Sequence, residues 1–257
     1  MTLWLIIIQA IRSRRSLKDI AVNLNSILDP QFKCHIMVVG SLNYVFLSEI
    51  CINSFLKFNP ESIFIIHTEN SLKRLLDLRF ARLIRSGIVV IEVDIESAAQ
   101  WQHSKLQLIL EMNGSSDIFM DADLRWNGRL IQSDNITFFL KEFLLLENPI
   151  FVAAFPELLG SSDYYMYNLS YFTFSKIKLP LQEIQSIRVN QERIAKLQPE
   201  NLQIKEILAV QRMSEQLAMS IGLSKSGHSI QTLKSSDARN DGSFVESCYF
   251  GATGLTF

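Results

Sequence analysis

Residues 34–39, 62–67, 88–93 and 117–120 form four short apolar runs, and a stretch with helical spacing separates each from the next. No other feature narrows the fold as much. Short apolar runs bounded by turn residues read as strands buried on both faces. Between the first two, residues 44–58 carry Val45, Leu47, Ile50, Ile52, Phe55 and Leu56 at helical spacing and stop at Asn59-Pro60, since the residue before a proline disfavours the helical region. Ser71 can cap a helix running through Leu75 and Leu78 to residue 85, which Gly87 ends. Residues 100–112 give a further helix, closed by Asn113-Gly114. This alternation predicts an α/β fold, doubly wound around a largely parallel sheet with helices on both faces. Ligands of such sheets bind at the carboxyl ends of the strands. The segments to search are therefore 40–44, 67–70, 94–96 and 121–127.

The rest of the chain is less regular. Residues 149–155 and 171–174 read as strands. Residues 181–197 form an amphipathic helix with Ile184, Ile187, Ile194 and Leu197 on one stripe, and Pro199 separates it from a helix over 204–221. Residues 230–233 and 244–250 are short strand candidates. No repeat, low-complexity tract or Pro/Gly/Ser linker divides the chain. It reads as an apolar and basic helical extension, 1–33, followed by one domain, 34–257, with halves at 34–130 and 131–257. Hydrophobic residues make up 48% and charged residues 20%, so a sizeable core can be buried and disorder is excluded.

A net charge of -1 argues against a nucleic-acid partner. Cys34, Cys51 and Cys248 are scattered and show no CxxC spacing. They read as reduced, buried thiols of a cytoplasmic protein, and no His/Cys cluster has the spacing of a zinc site. Residues 1–11 are almost wholly apolar and are followed by Arg12, Arg14, Arg15 and Lys18. That run is shorter than the roughly 20 residues a spanning helix needs. The expectation is a helix packed on the domain. The second reading is peripheral contact of residues 1–18 with the inner face of a membrane.

Asp121-Ala122-Asp123 follows directly on the fourth strand. In extended chain, residues i and i+2 point the same way. Two carboxylates delivered together repel unless a cation joins them. Hard oxygen ligands favour Mn2+ or Mg2+, with open positions left for phosphate oxygens. The residues after the first strand then carry a resemblance. Val39-Gly40-Ser41-Leu42-Asn43-Tyr44, a helix containing Ser54, Asn59-Pro60, and later Ile118-Phe119-Met120-Asp121-Ala122-Asp123 resemble the opening and metal motif of GT-A-fold glycosyltransferases, most of all the family 8 type. The resemblance covers residues 36–130.

It implies a Rossmann-like fold with a mixed, mainly parallel sheet. The 34–130 half would hold a nucleoside diphosphate sugar and the 131–257 half would meet a glycan or lipid-linked acceptor. It implies donor binding by Gly40, Ser41, Asn43, Tyr44, His67, Lys105, Asp121, Ala122 and Asp123, with Asp121 and Asp123 on the metal. Lys105 stands where the family has a basic residue near the donor phosphates, and Glu215-Gln216 resembles its acidic-Gln pair on the acceptor side. The family's C-terminal His and Lys have no counterpart in residues 249–254, so either the metal has fewer protein ligands or His228 or another group serves.

Other residues carry two readings each. Lys105 is a phosphate ligand or a solvated helix residue, and His67 and His103 can be plain strand-end and helix-surface histidines. Glu215 is a general base or, as preferred from its surroundings, an exposed helix residue. Asp241 and Glu246 are acceptor-side carboxylates or solvent-facing ones. Trp126 stacks on a sugar or plugs the sheet edge. The function expected is metal-dependent transfer of a hexose to a hydroxyl. Likeness to family 8 suggests retention at the anomeric centre. The alternatives are an aspartate-nucleophile phosphatase and a non-catalytic sugar-nucleotide-binding domain.

Overall fold

The structure, a computed structural model, describes residues 30–147, 149–154, 164–196, 203–233 and 238–240. The predicted alternation forms over β1 (Phe32–Val38), α1 (Leu42–Phe58), β2 (Ser62–Thr68), α2 (Asn70–Arg79), α3 (Ala81–Arg85), β3 (Val89–Val93), α4 (Trp101–Glu111) and β4 (Ile118–Asp121). Ser41 caps α1, its side chain accepting from the Asn43 N–H at 3.2 Å. The helix expected to run unbroken to residue 85 is two helices. The chain turns at Phe80, which is buried. Ser71 does not cap α2; Glu69 precedes it, and its carboxylate instead accepts from the Gly40 N–H at 3.0 Å.

The second half contributes β5 (Leu124–Trp126), β6 (Ile136–Leu144), α5 (Pro149–Ala154), β7 (Tyr165–Thr173), α6 (Leu181–Ala195), α7 (Ile204–Gln211), α8 (Ser214–Lys225), β8 (Ile230–Thr232) and β9 (Ala238–Asn240). The strand expected over 149–155 is a helix over 149–154. Proline is well suited to its first position, and a short apolar run does not by itself separate strand from helix. The helix expected over 204–221 is also two, broken at Arg212–Met213. The strand expected over 244–250 and the N-terminal helix lie outside the described residues. Among the described residues no helix is long and apolar enough to cross a membrane.

Seven strands form one sheet in the order β3-β2-β1-β4-β7-β6-β8, and β5 pairs with β9 separately. The pairs β1–β2, β2–β3, β1–β4 and β6–β8 are parallel, while β4–β7 and β6–β7 are antiparallel. The sheet is thus mixed and mainly parallel, as expected. After β1 the chain moves outward to β2 and β3, then returns to place β4 on the other side of β1. That reversal opens a crevice at the carboxyl ends of β1 and β4.

Alternate residues of β1 feed two cores. Cys34, Ile36 and Val38 join the cluster under α1 and α2, with Phe55, Phe64 and Leu76. Met37 joins the cluster under α4, α6 and α8, with Ile109, Phe172 and Leu217. Cys34 and Cys51 are both buried free thiols. Trp126 is 2% exposed and packs edge-on against Phe55 (4.8 Å) and Tyr171 (5.8 Å). It plugs the sheet edge beneath the crevice, so the sugar-stacking reading does not hold.

Candidate active site

A cavity of about 580 Å3 occupies the crevice. Its floor is the end of β4 and the turn after it: Asp121, Ala122 and Asp123. Ala122 is buried, so the motif turns its small residue inward and the aspartates remain partly accessible. One wall is Val39, Gly40, Ser41 and Tyr44, where the chain passes from β1 into α1. Gly40 has φ +77°, a conformation that costs an L side chain about 1 kcal/mol or more, and an added Cβ would meet the Ala98 Cβ at 3.4 Å. A second wall is Ala98, Ala99 and Trp101, at the start of α4. The third is Arg212, Met213, Glu215 and Gln216, at the start of α8. The cavity is therefore ringed by the N-terminal ends of three helices, whose dipoles favour an anion.

Lys105 reaches this floor from the second turn of α4. It is 4% exposed, and its Nζ donates to both carboxylate oxygens of Asp121, at 2.9 and 3.0 Å. The ammonium also stands 5.1 Å from the Phe119 ring centroid. Burial works to lower the lysine pKa, but the charge of Asp121, then that of Glu215, outweighs it and holds the pKa above its ordinary value. The solvated-helix reading of Lys105 is thereby overturned.

Glu215 is 3% exposed, in the first turn of α8. The exposed reading preferred from sequence is wrong, because α8 packs its first turn toward Lys105 and Asp121. Burial raises the Glu215 pKa to about 7, with the Lys105 charge acting the other way. Its Oε2 has no hydrogen-bond partner among the described residues. A buried carboxyl that titrates near neutrality in a cleft is suited to giving or taking a proton. Cys51 lies below, its Sγ 3.7 Å from the Asp121 carbonyl oxygen. Burial, then the charges of Asp123 and Asp121, push its thiol pKa far up, so it is no nucleophile.

The structure thus brings together Gly40, Ser41, Tyr44, Lys105, Asp121, Ala122, Asp123 and Glu215. Asn43 lies in the first turn of α1, its backbone N–H used by Ser41, and does not line the cavity. His67 stands apart. Glu92, His67, Met37 and Asp121 are register neighbours across β3, β2, β1 and β4, so Met37 intervenes and two strand spacings, about 10 Å, separate His67 from Asp121. His67 borders a different, smaller cavity with Asp94. His103 is exposed on α4. His228 bonds to Glu183 at 2.8 Å and does not line the main cavity. Asp241 and Glu246 lie outside the described residues. Among the described residues, Asp121 and Asp123 have no third His, Cys, Asp or Glu close enough to complete a three-ligand cluster.

Sequence reasoning missed Ala98, Ala99, Trp101 and Arg212. Ser97 was a legible signal for the first three, since its side chain caps the turn by accepting from the Ala99 N–H at 3.1 Å. Arg212 had none, because neither glycine nor proline marks the break between α7 and α8.

No family profile matches the chain, and no match was found among curated protein sequences. Solved structures with a similar course of chain are glycosyltransferases. GlyE of Streptococcus pneumoniae TIGR4 is 12% identical over 88% of this chain and 50% of that one, with a TM-score of 0.47. Mouse xyloside xylosyltransferase 1 is 9% identical over 79% and 85%, with a TM-score of 0.47. The galactosyltransferase LgtC, in complex with donor and acceptor sugar analogues, is 14% identical over 70% of each chain, with a TM-score of 0.42. This chain spans about half the length of GlyE. Likenesses this distant carry no assignment of substrate or residues, which must come from the cavity itself.

Proposed function

We propose that this chain is a metal-dependent glycosyltransferase of GT-A type that moves a hexose from a nucleoside diphosphate sugar to a hydroxyl of a glycan or lipid-linked acceptor. One observation carries the reading: at the β1/β4 crevice, three helix N-termini surround a floor of paired aspartates backed by a buried lysine. The helix dipoles at this end of the sheet and the Arg212 guanidinium would hold the diphosphate. Tyr44 and Trp101 offer ring faces to the nucleoside.

Asp121 and Asp123 would hold Mn2+ or Mg2+. The donor set suits a hard cation: Lys105 uses two of the roughly four acceptor positions of the Asp121 carboxylate, leaving the others for an ion. Such an ion, when bound, neutralises charge on the leaving diphosphate. Lys105 fixes the orientation of Asp121. The acceptor oxygen bonds the anomeric carbon as the bond from that carbon to the phosphate oxygen breaks. The electron pair leaves with the diphosphate, and Glu215 takes the acceptor proton. Cys34 and Cys51, free thiols among the described residues, fit the cytoplasmic setting of this reading.

The test incubates the protein with Mn2+ and a panel of UDP-, GDP- and CDP-sugars and measures release of nucleoside diphosphate. One donor is expected to turn over, and Asp123→Ala is expected to lower the rate by about 100-fold or more. Donor binding without turnover against any acceptor class would point to the non-catalytic reading. The phosphatase reading is not favoured, since Asp121 ends the fourth strand and both its oxygens are held by Lys105. Hydrolysis of p-nitrophenyl phosphate that Asp121→Asn abolishes would restore it.

A further inference from the structure

A second polar constellation lies at the same sheet edge, beyond Met37. His67 is 4% exposed at the end of β2, and Glu92 of β3 is its register partner on the same face. Asp94 stands two residues further on, at the same side of the chain. The His67 Nδ1 is 2.6 Å from Asp94 Oδ2 and 3.8 Å from Glu92 Oε2, and one ligand atom from each residue falls within 4.8 Å of the others. On its other side the imidazole meets a buried chain: His67 Nε2 to His35 Nδ1 at 2.9 Å, then His35 Nε2 to Asp117 Oδ2 at 3.1 Å. Lys33 closes the chain with 3.0 Å to that same oxygen.

Hydrogen counting shows what this arrangement lacks. Two neutral imidazoles carry two N–H groups between them. The row Asp117–His35–His67–Asp94 contains three contacts. If His35 donates to Asp117 and His67 donates to His35, the Nδ1 lone pair of His67 faces the lone pairs of Asp94. One cation at that end, a metal ion or a further proton, satisfies the whole row. A histidine whose second nitrogen donates to an acceptor that is itself anchored by a carboxylate is the usual outer support of a metal-bound imidazole.

We propose that His67, Glu92 and Asp94 bind a divalent transition-metal ion of the Zn2+ class, with His35 and Asp117 orienting the ligand. One imidazole and two carboxylates are a donor set that Zn2+ takes readily. Bonds of about 2.0–2.2 Å place tetrahedral ligand atoms about 3.4 Å apart. Reaching that spacing asks the Asp94 contact to open and the Glu92 contact to close. Both carboxylates can comply, since their side chains are 45% and 49% exposed. Water can fill the remaining position from the adjoining cavity of about 150 Å3, lined also by Ser104, Gln107 and Glu111. The ion would tie β2 to the segment after β3, which leads directly to Ala98 and Ala99 in the wall of the main cavity. Its role is structural, and it stands or falls independently of the donor site.

The experiment titrates Zn2+ alone into chelator-treated, nucleotide-free protein by calorimetry, counts retained metal after gel filtration, and records the visible absorption of the Co2+ form. One equivalent is expected at this site, beyond any that Asp121 and Asp123 hold, with a rise in melting temperature. Glu92→Gln/Asp94→Asn, at exposed positions, should weaken binding by about 100-fold or more while the protein stays folded, and His35→Gln by about 10- to 100-fold. Asp123→Ala should leave this equivalent in place. Folded wild-type protein that takes up no Zn2+ or Co2+, or uptake unchanged in the Glu92→Gln/Asp94→Asn variant, overturns the proposal.

Discussion

Replacing Lys105 by Met removes the charge that holds Asp121 while keeping most of the side-chain volume, so the cost is electrostatic and not that of a cavity. Removing one partner of a fully buried ion pair costs about 3–5 kcal/mol. Here Lys105 is 5% exposed at its side chain but Asp121 is 30% exposed, so water can take over part of the carboxylate and the loss falls to the lower end of that range or below it. The expected loss is about 2–3 kcal/mol, or about 5–10 °C in melting temperature for a chain of this length. Urea unfolding at pH 7.5, followed by tryptophan fluorescence, should show a lower midpoint with an unchanged slope. Asp121→Asn removes the charge left behind. The double variant should therefore lose less than the two single losses added, by about 1–2 kcal/mol. A K105M protein within about 0.5 kcal/mol of wild type, or strictly additive losses, would refute the claim that this pair organises the floor of the cavity.

Glu215 predicts a pH dependence. Its folded pKa, raised by burial from 4.5 to about 7, means the folded state holds a proton that the unfolded state releases first. Stability therefore falls as pH rises from about 4.5 to about 7, by up to about 3 kcal/mol, and Glu215→Gln should flatten that slope in denaturation measured from pH 5 to 8. Gly222 of α8 faces Ile187 of α6, and an added Cβ would overlap the Ile187 Cγ1. Gly222→Ala should destabilise by about 1–2 kcal/mol although alanine favours a helix. Ile187→Ala, costly alone, should cost less in that background. Gly40→Ala should lose about 1–2 kcal/mol through its positive φ, and weaken nucleotide binding by distorting the start of α1.

The part of the fold that positions the site was legible because it rests on local signals. Each of the first four strands is a short apolar run with turn residues at its end, and Asp121 and Asp123 follow from i, i+2 spacing alone. The β6 strand was not legible. Its pairing with β7 shifts register between Phe138 and Leu140 and again between Lys141 and Leu144, and such irregularities spoil the period-2 pattern that a strand is read by. Burial of Lys105 and Glu215 was also hidden. Each is a charged residue on a helix, and only the tertiary approach of α4 and α8 over the end of β4 makes them neighbours. His67, Glu92 and Asp94 come together through cross-strand register, which residue spacing along the chain does not reveal.

Whether Asp121 and Asp123 hold a metal and a sugar nucleotide is decided by calorimetric titration of UDP, GDP and CDP into wild-type protein and Asp123→Ala, each with and without Mn2+. One nucleotide is expected to bind wild-type protein in the micromolar range only when Mn2+ is present, and Asp123→Ala is expected to abolish this binding while remaining folded. Folded wild-type protein that binds none of the three at millimolar concentration, or a nucleotide bound equally well by Asp123→Ala, would contradict it.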